Sequence, residues 1–209
     1  MMTNLPMQRR IFAHAHRAAR IGENRIMLMA QATKEWTRGD LARLPDDGNK
    51  YEVVRGELFV TPAPRSPHQQ LIAMLNRLLV PYVASEGIGL VHQARSVVVF
   101  DGSEVEPDLF VQPTVSAPPP RWENAPTPLL VVEVLSPVTK RRDRGSKRQL
   151  YLDAGVPEYW IVDGERRSVM VVRPGAEDAR VTGTLTWTPD GARTPFSLDL
   201  PAFFTDVLG

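Results

Sequence analysis

The chain has 209 residues, 43% of them hydrophobic and 23% charged, which is the make-up of a globular domain and excludes a disordered or fibrous protein. It contains no cysteine, which excludes disulfides, thiolate zinc centres and cysteine nucleophiles together and is compatible with a cytoplasmic location. The net charge of +1 is uneven: residues 1–32 carry a net +4 and the remainder −3, so the body is not a generally basic nucleic-acid binder. No run approaches the roughly 20 apolar residues of a membrane span, and no secretory signal follows the N-terminal arginines.

Residues 1–32 are rich in Arg and Met with a weak helical pattern, and read as a basic extension outside the core. The core then spans 33–209. Thr37 to Leu41 reads as a short helix ended near Pro45. Tyr51–Arg55 and Glu57–Thr61 read as a hairpin hinged at Gly56. Ser66 is placed to cap a helix to about Ser85, with Leu71, Ile72, Leu75, Leu78, Leu79 and Tyr82 at helical spacing and Pro81 expected to end or kink it. Strand signals follow at Leu90–Gln93, Ser96–Phe100 and Val105–Val111, the last containing Pro107. Asp101-Gly102 marks a hairpin turn. Pro113 to Pro128 is a proline-rich loop.

Leu129 to Leu135 is a buried strand, apolar except for Glu133. Asp143 is placed to cap a helix to about Ala154, which Gly155 stops. Tyr159–Val162, Ser168–Val172 and, more weakly, Leu185–Thr188 are strands, and Pro201–Leu208 is a short helix. Interleaved helices and strands predict an α/β fold, a mixed β-sheet core flanked by helices.

An acid inside a buried strand is costly unless something compensates for its desolvation. That makes Glu133 conspicuous. Asp108, in a strand-like run just upstream, could reach the same sheet edge. Paired carboxylates suit Mg²⁺ or Mn²⁺, which complete their shells with water and phosphate oxygens. Lys147 is one of four lysines in an arginine-preferring chain. With Leu150, Tyr151 and Ala154 it falls on the inward stripe of the helix after Glu133. The basic run Lys140, Arg141, Arg142, Arg144 and Arg148 flanks this region as a candidate grip on a DNA backbone, giving affinity without sequence specificity; its alternative is a solvated helix face.

Taken in order, Pro107-Asp108, Val131-Val132-Glu133-Val134-Leu135-Ser136-Pro137, Asp143-Arg144-Gly145-Ser146-Lys147 and Gly155-Val156-Pro157-Glu158-Tyr159-Trp160-Ile161-Val162-Asp163 resemble the Uma-two family of putative restriction endonucleases, within the PD-(D/E)XK nuclease superfamily. Tyr51 to Leu58 and Ser66-Pro67-His68-Gln69 resemble it too, so the likeness runs from about Thr37 to the C-terminus. It implies a restriction-endonuclease-like core and a Mg²⁺- or Mn²⁺-dependent endonuclease acting on DNA. Asp108 and Glu133 would be metal ligands, Glu57 a further ligand, His68 an accessory residue and Lys147 the residue that positions a metal-bound water. One departure stands out. The superfamily's Glu-x-Lys signature would place lysine at position 135, where this chain has leucine, so the lysine is assigned to position 147 on the following helix.

The main rival is a catalytically inactive nuclease-fold protein serving as a nucleic-acid-binding or interaction module, and a second is a phosphohydrolase of small substrates. Strands around Tyr159–Val172 suggest exposed edges and hence a homodimer. Other chemistries lack their patterns: Gly145-Ser146-Lys147 misses the first glycine of a phosphate-binding loop, there is no His-Glu-x-x-His, and there is no Gly-x-Ser-x-Gly elbow.

Overall fold

The computed structural model describes residues 34–62, 66–93, 97–115 and 121–209. The expected extension over 1–32 and the centre of the proline-rich loop lie outside them. Among the described residues no helix is long and apolar enough to cross a membrane.

A four-residue helix α1 (Arg38–Leu41) precedes the first hairpin, β1 (Lys50–Val54) and β2 (Glu57–Thr61). The hairpin closes on Arg55 and Gly56, both at positive φ (49° and 81°). Two left-handed residues match the right-handed twist of the flanking strands, which is why glycine occupies the second position. Asp101-Gly102 closes the hairpin of β4 (Val98–Phe100) and β5 (Ser103–Val105) in the same way. The four strands join in the order β2-β1-β5-β4, so β1 is internal and β2 is an edge.

The larger sheet has six strands in the order β10-β9-β8-β7-β6-β3. They are β3 (Gly89–Gln93), β6 (Leu109–Pro113), β7 (Leu130–Val134), β8 (Tyr159–Asp163), β9 (Ser168–Val172) and β10 (Ala179–Val181). Its pairs are antiparallel except β7 with β8, which are parallel. A parallel pair needs a long crossover, and here that crossover carries α3 (Lys140–Asp143) and α4 (Ser146–Asp153).

Strand alternation sends side chains to two faces. Leu109, Val111, Leu130, Val132, Val134, Trp160 and Val162 pack beneath α2 (Ser66–Glu86), through Leu71, Ile72, Leu75, Leu79 and Val83. β11 (Thr184–Trp187), β12 (Phe196–Asp199) and α5 (Leu200–Leu208) complete that layer with Leu185, Trp187, Phe196, Phe203 and Phe204. On the other face Phe110, Val131, Tyr159 and Ile161 pack with Leu150 and Tyr151 of α4 and with Val54 and Val105 of the smaller sheet. Glu133 alternates with Val132 and Val134, so it points to this second face.

Several expectations are corrected. α2 continues through Pro81 to Glu86, because buried Leu79 and Val83 on either side hold it against the sheet. The run Val105–Val111 is two strands in different sheets, broken at Glu106-Pro107-Asp108. Asp143 ends α3 and caps nothing; Gly145 caps α4. The chain closes so tightly there that a Cβ on Gly145 would lie 3.0 Å from the Arg141 carbonyl oxygen. β8 and β9 are internal strands, so Tyr159–Val172 offers no exposed edge.

Candidate active site

Glu133 sits in the middle of the second face, almost fully buried. Its Oε1 accepts hydrogen bonds from Lys147 Nζ at 2.6 Å and from the Tyr151 hydroxyl at 2.9 Å. Both donors come from α4, one turn apart, so one helix face presents an ammonium and a phenol to one carboxylate oxygen. Lys147 is fully buried, and its Nζ is also 2.6 Å from Glu52 Oε1 on β1. Sequence reasoning therefore placed Lys147 on the inward stripe, where the structure has it, but passed over its second partner.

Asp108 lies in the break between β5 and β6. Its Oδ2 accepts the Val134 backbone N–H at 2.8 Å, which fixes it beside the end of β7. His68, in the first turn of α2, brings Nε2 to 3.3 Å from the same oxygen. Lys50 Nζ stands 3.9 Å from Asp108 Oδ1 and 3.9 Å from Glu52 Oε1. Glu106, the residue before Pro107, is held from β1 through both its backbone groups. Lys50 donates to the Glu106 carbonyl at 2.8 Å, and Glu52 Oε1 accepts the Glu106 N–H at 2.9 Å. Glu52 thus ties Lys147 to the segment that carries Asp108.

Two further buried groups complete the cluster. Arg142 donates from Nη2 to Thr61 Oγ1 at 2.9 Å, lies 3.4 Å from Glu52 Oε2 and stacks over the Phe59 ring at 5.0 Å. Asp143 is 1% exposed, and neither carboxylate oxygen has a hydrogen-bond partner of normal geometry, although the Thr139 hydroxyl is close.

The electrostatics follow from this crowding. Burial, with Asp143 and Asp108 nearby, pushes the Glu133 carboxyl up to about 7 in spite of Lys147. Burial also raises Asp143. Burial opposes ionisation of Glu52 and Asp108, but cations outweigh it and hold both below the ordinary carboxylate range. For Glu52 these are Lys147, Lys50 and Arg142; for Asp108 they are His68 and Lys50, helped by the Val134 N–H. Burial disfavours the Lys147 ammonium, yet Glu133, Glu52 and Asp143 together keep it above its usual value. His68 is raised because Asp108 outweighs its own burial. Burial beside these acids lifts the Tyr151 phenol far above its normal range, so it is a donor.

The fit to a divalent metal can be tested on these contacts. Asp108 and Glu133 each have one oxygen held and one open. Among the described residues, no side chain or backbone group donates a hydrogen bond to Asp108 Oδ1 or to Glu133 Oε2. The cluster also gathers four buried carboxylates, Glu52, Asp108, Glu133 and Asp143, against Lys50, Arg142 and Lys147. The carboxylate oxygens that accept no hydrogen bond are hard donors, the kind a hard cation takes. No group of three or more acidic, His or Cys side chains among the described residues stands ready to enclose one.

The other expected site residues are placed elsewhere. Glu57 is exposed at the turn end of the hairpin, paired with Val54, outside the cluster. Arg142 is buried within the cluster. Lys140 pairs with Glu165 at 3.1 Å, Arg144 with Asp163 at 2.8 Å, and Arg148 with Asp178 through two bonds of 2.6 and 2.9 Å. Of the five, only Arg141 is exposed with no acidic partner among the described residues. The basic run is therefore largely engaged in ion pairs within the chain, those of Lys140 and Arg148 at its surface.

The sequence model of the Uma2 family, described as "Putative restriction endonuclease", matches residues 38–204. The chain belongs to the Uma2 family. Among solved structures, it is similar to a putative nuclease belonging to DUF820 from Anabaena variabilis, at 21% identity and a TM-score of 0.70, over 83% of this chain and 99% of that one. At that identity the likeness establishes the fold, a restriction-endonuclease-like mixed sheet flanked by helices. No curated protein matches the chain. The matched Uma2 region takes in every member of the buried cluster, from Lys50 to Tyr151.

Proposed function

We propose that this Uma2 protein is a Mg²⁺- or Mn²⁺-dependent endonuclease that hydrolyses DNA phosphodiester bonds. The observation that carries the reading is the pairing of Asp108 and Glu133, each with one oxygen fixed and one open, beside a lysine that reaches in from α4. Asp108 and Glu133 would hold the ion. A divalent ion bound there would lower the pKa of a water and offset charge on the scissile phosphate.

The protein's own residues have separate tasks. The Val134 N–H and His68 fix Asp108, and Lys147 and Tyr151 fix Glu133, so both carboxylates keep their orientation without rearrangement. Lys147, expected from sequence to position the attacking water, is locked between two carboxylates. Its first task is to hold Glu133 and Glu52 in place. Glu57 and four of the five basic residues of the 140–148 run take no part in this reading.

Cleavage of supercoiled plasmid tests it. The wild type nicks DNA with Mg²⁺ or Mn²⁺ and not in EDTA, while Asp108→Ala, Glu133→Ala and Lys147→Ala lose at least ~10²-fold in rate. Absence of cleavage with either ion, or equal cleavage by Asp108→Ala, would sink the proposal and leave a nuclease-fold binding module.

A further inference from the structure

Besides His68, three lysine and arginine side chains surround the buried acids, and they differ in what they are free to do. Lys147 is 0% exposed and makes two 2.6 Å contacts to carboxylates. Arg142 is engaged by Thr61, Glu52 and the face of Phe59. Lys50 differs. Its side chain is 21% exposed and makes one hydrogen bond, to the Glu106 carbonyl. Its two acidic neighbours are each 3.9 Å away, beyond direct hydrogen-bonding distance. An ammonium has three N–H donors, so two remain to be directed toward a further partner.

The position of those donors is informative. Lys50 is the first residue of β1, opposite Thr61 in β2, and its Nζ faces Asp108 Oδ1, the open oxygen of that carboxylate. The Glu106 carbonyl anchors the amine beside Asp108. A group that binds at Asp108 Oδ1 therefore meets the one ammonium of the cluster that is both solvent-accessible and under-engaged. An anion fits there, and a tetrahedral oxyanion such as a phosphodiester can accept from a compact ammonium while another of its oxygens faces the acids.

Building on the endonuclease reading, we propose that Lys50 is the phosphate-contacting cation of the site, donating to a non-bridging oxygen of the bound phosphodiester, and that Lys147 is a positioning residue that acts through Glu133 and Glu52. This divides between two lysines the work that a single Glu-x-Lys lysine would do. Lys50 transfers no proton in this role; it stabilises charge as that charge builds on the phosphate oxygens.

The test compares wild type, Lys50→Met and Lys50→Arg in three measurements. The first is urea unfolding, the second the salt dependence of binding to a labelled duplex with Ca²⁺ and the third metal-dependent plasmid nicking. Lys50→Met is expected to lower the slope of log affinity against log salt by about 0.9, as for one lost phosphate contact. Its kcat for nicking should fall ~10²-fold and its KM should rise with the weaker binding, and Lys50→Arg should recover most of each. The unfolding midpoint should move little for Lys50→Met and substantially for Lys147→Met. An unchanged salt slope in Lys50→Met overturns the proposal, whether or not the wild type cleaves. Failure of the wild type to cleave overturns the endonuclease reading, while the binding arm still decides the role of Lys50. A large loss of stability in both Lys50 variants, with the salt slope intact, assigns Lys50 to structure alone and also overturns the proposal.

Discussion

Replacing Lys147 by methionine removes the ammonium that lies 2.6 Å from both Glu133 and Glu52 while keeping a side chain of similar reach. Both carboxylates are almost completely buried, so neither can turn to water for compensation. Removing one partner of a buried ion pair typically costs about 3–5 kcal/mol, because it strands a charge in a low-dielectric site. Against a domain stability of roughly 5–15 kcal/mol that is a large fraction. At about 2–4 °C per kcal/mol for a domain of this size, it lowers Tm by roughly 6–20 °C. The cost should depend on Glu133. Glu133→Gln still accepts from Tyr151 and from the ammonium but carries no charge, so Lys147→Met made in that background should cost about 1–3 kcal/mol less than in the wild type. The remaining penalty belongs to Glu52. Urea unfolding of the four proteins of this double-mutant cycle, in EDTA at pH 8, gives the coupling directly. Additivity of the two substitutions within about 0.5 kcal/mol would refute the argument, since it would mean that the 2.6 Å contact carries no energy.

Stability in EDTA should fall between pH 4.5 and 7. With Glu133 pushed up to about 7, the unfolded chain ionises first and the native state retains the proton, so stability drops as pH rises, by at most ~1.4 kcal/mol per pH unit from this group. His68, also raised, contributes stability that is full below its unfolded pKa and lost on the way up, whereas the lowered Asp108 loses its contribution only as pH falls through its folded value; Glu133→Gln should flatten the descent, as read from urea midpoints across pH. Tyr151→Phe removes the 2.9 Å donor to Glu133 and should cost about 1–2 kcal/mol by the same unfolding measurement. Glu57→Ala should change neither unfolding midpoint nor nicking rate beyond about 0.5 kcal/mol, whereas Glu52→Ala, which removes one of the two carboxylate partners of Lys147 and leaves the Glu106 N–H without its acceptor, should abolish nicking and lower the midpoint.

The reach of the sequence differs from residue to residue for physical reasons. Glu133 was legible because a lone acid in an apolar strand is expensive wherever that strand lies. Lys147 was legible because helical periodicity puts it on the stripe of Leu150 and Tyr151. Glu52 and Glu57 could not be told apart locally. The register Glu52 opposite Phe59 and Val54 opposite Glu57 sets both acids on one face of the hairpin. What separates them is tertiary: β1 is covered on its far side by β5 and from above by α4, while Glu57 sits at the turn of an edge strand. Asp143 looked like a cap because Asp favours that position. Its burial depends on Gly145 breaking the crossover into two helices. β10 and β12 gave no strand signal, since β10 is Ala-Arg-Val on an exposed edge and β12 is four residues long. The basic run looked like a free surface because its acidic partners, Asp163, Glu165 and Asp178, lie 19–30 residues away along the chain.

The leucine at position 135 is the departure that most shapes this site, and the packing explains how it is accommodated. Residues 133 and 135 share a face of β7 by the two-residue period of a strand, which is why a Glu-x-Lys lysine can lie beside its glutamate. Here that face meets α4 and the smaller sheet, and Leu135 packs with the apolar cluster that includes Phe110, Tyr151 and Tyr159. An ammonium tethered at 135 would have to fit among those side chains. Carried on α4, it descends from the opposite side and meets Glu133 Oε1 together with the Tyr151 hydroxyl. Its reach brings it also to Glu52 and so couples the helix to the peptide that precedes Asp108. Lys147 is thus fully buried and held by two carboxylates, closed off from solvent. That burial leaves Lys50, partly exposed and anchored on the Glu106 carbonyl, as the cation we assign to the phosphate.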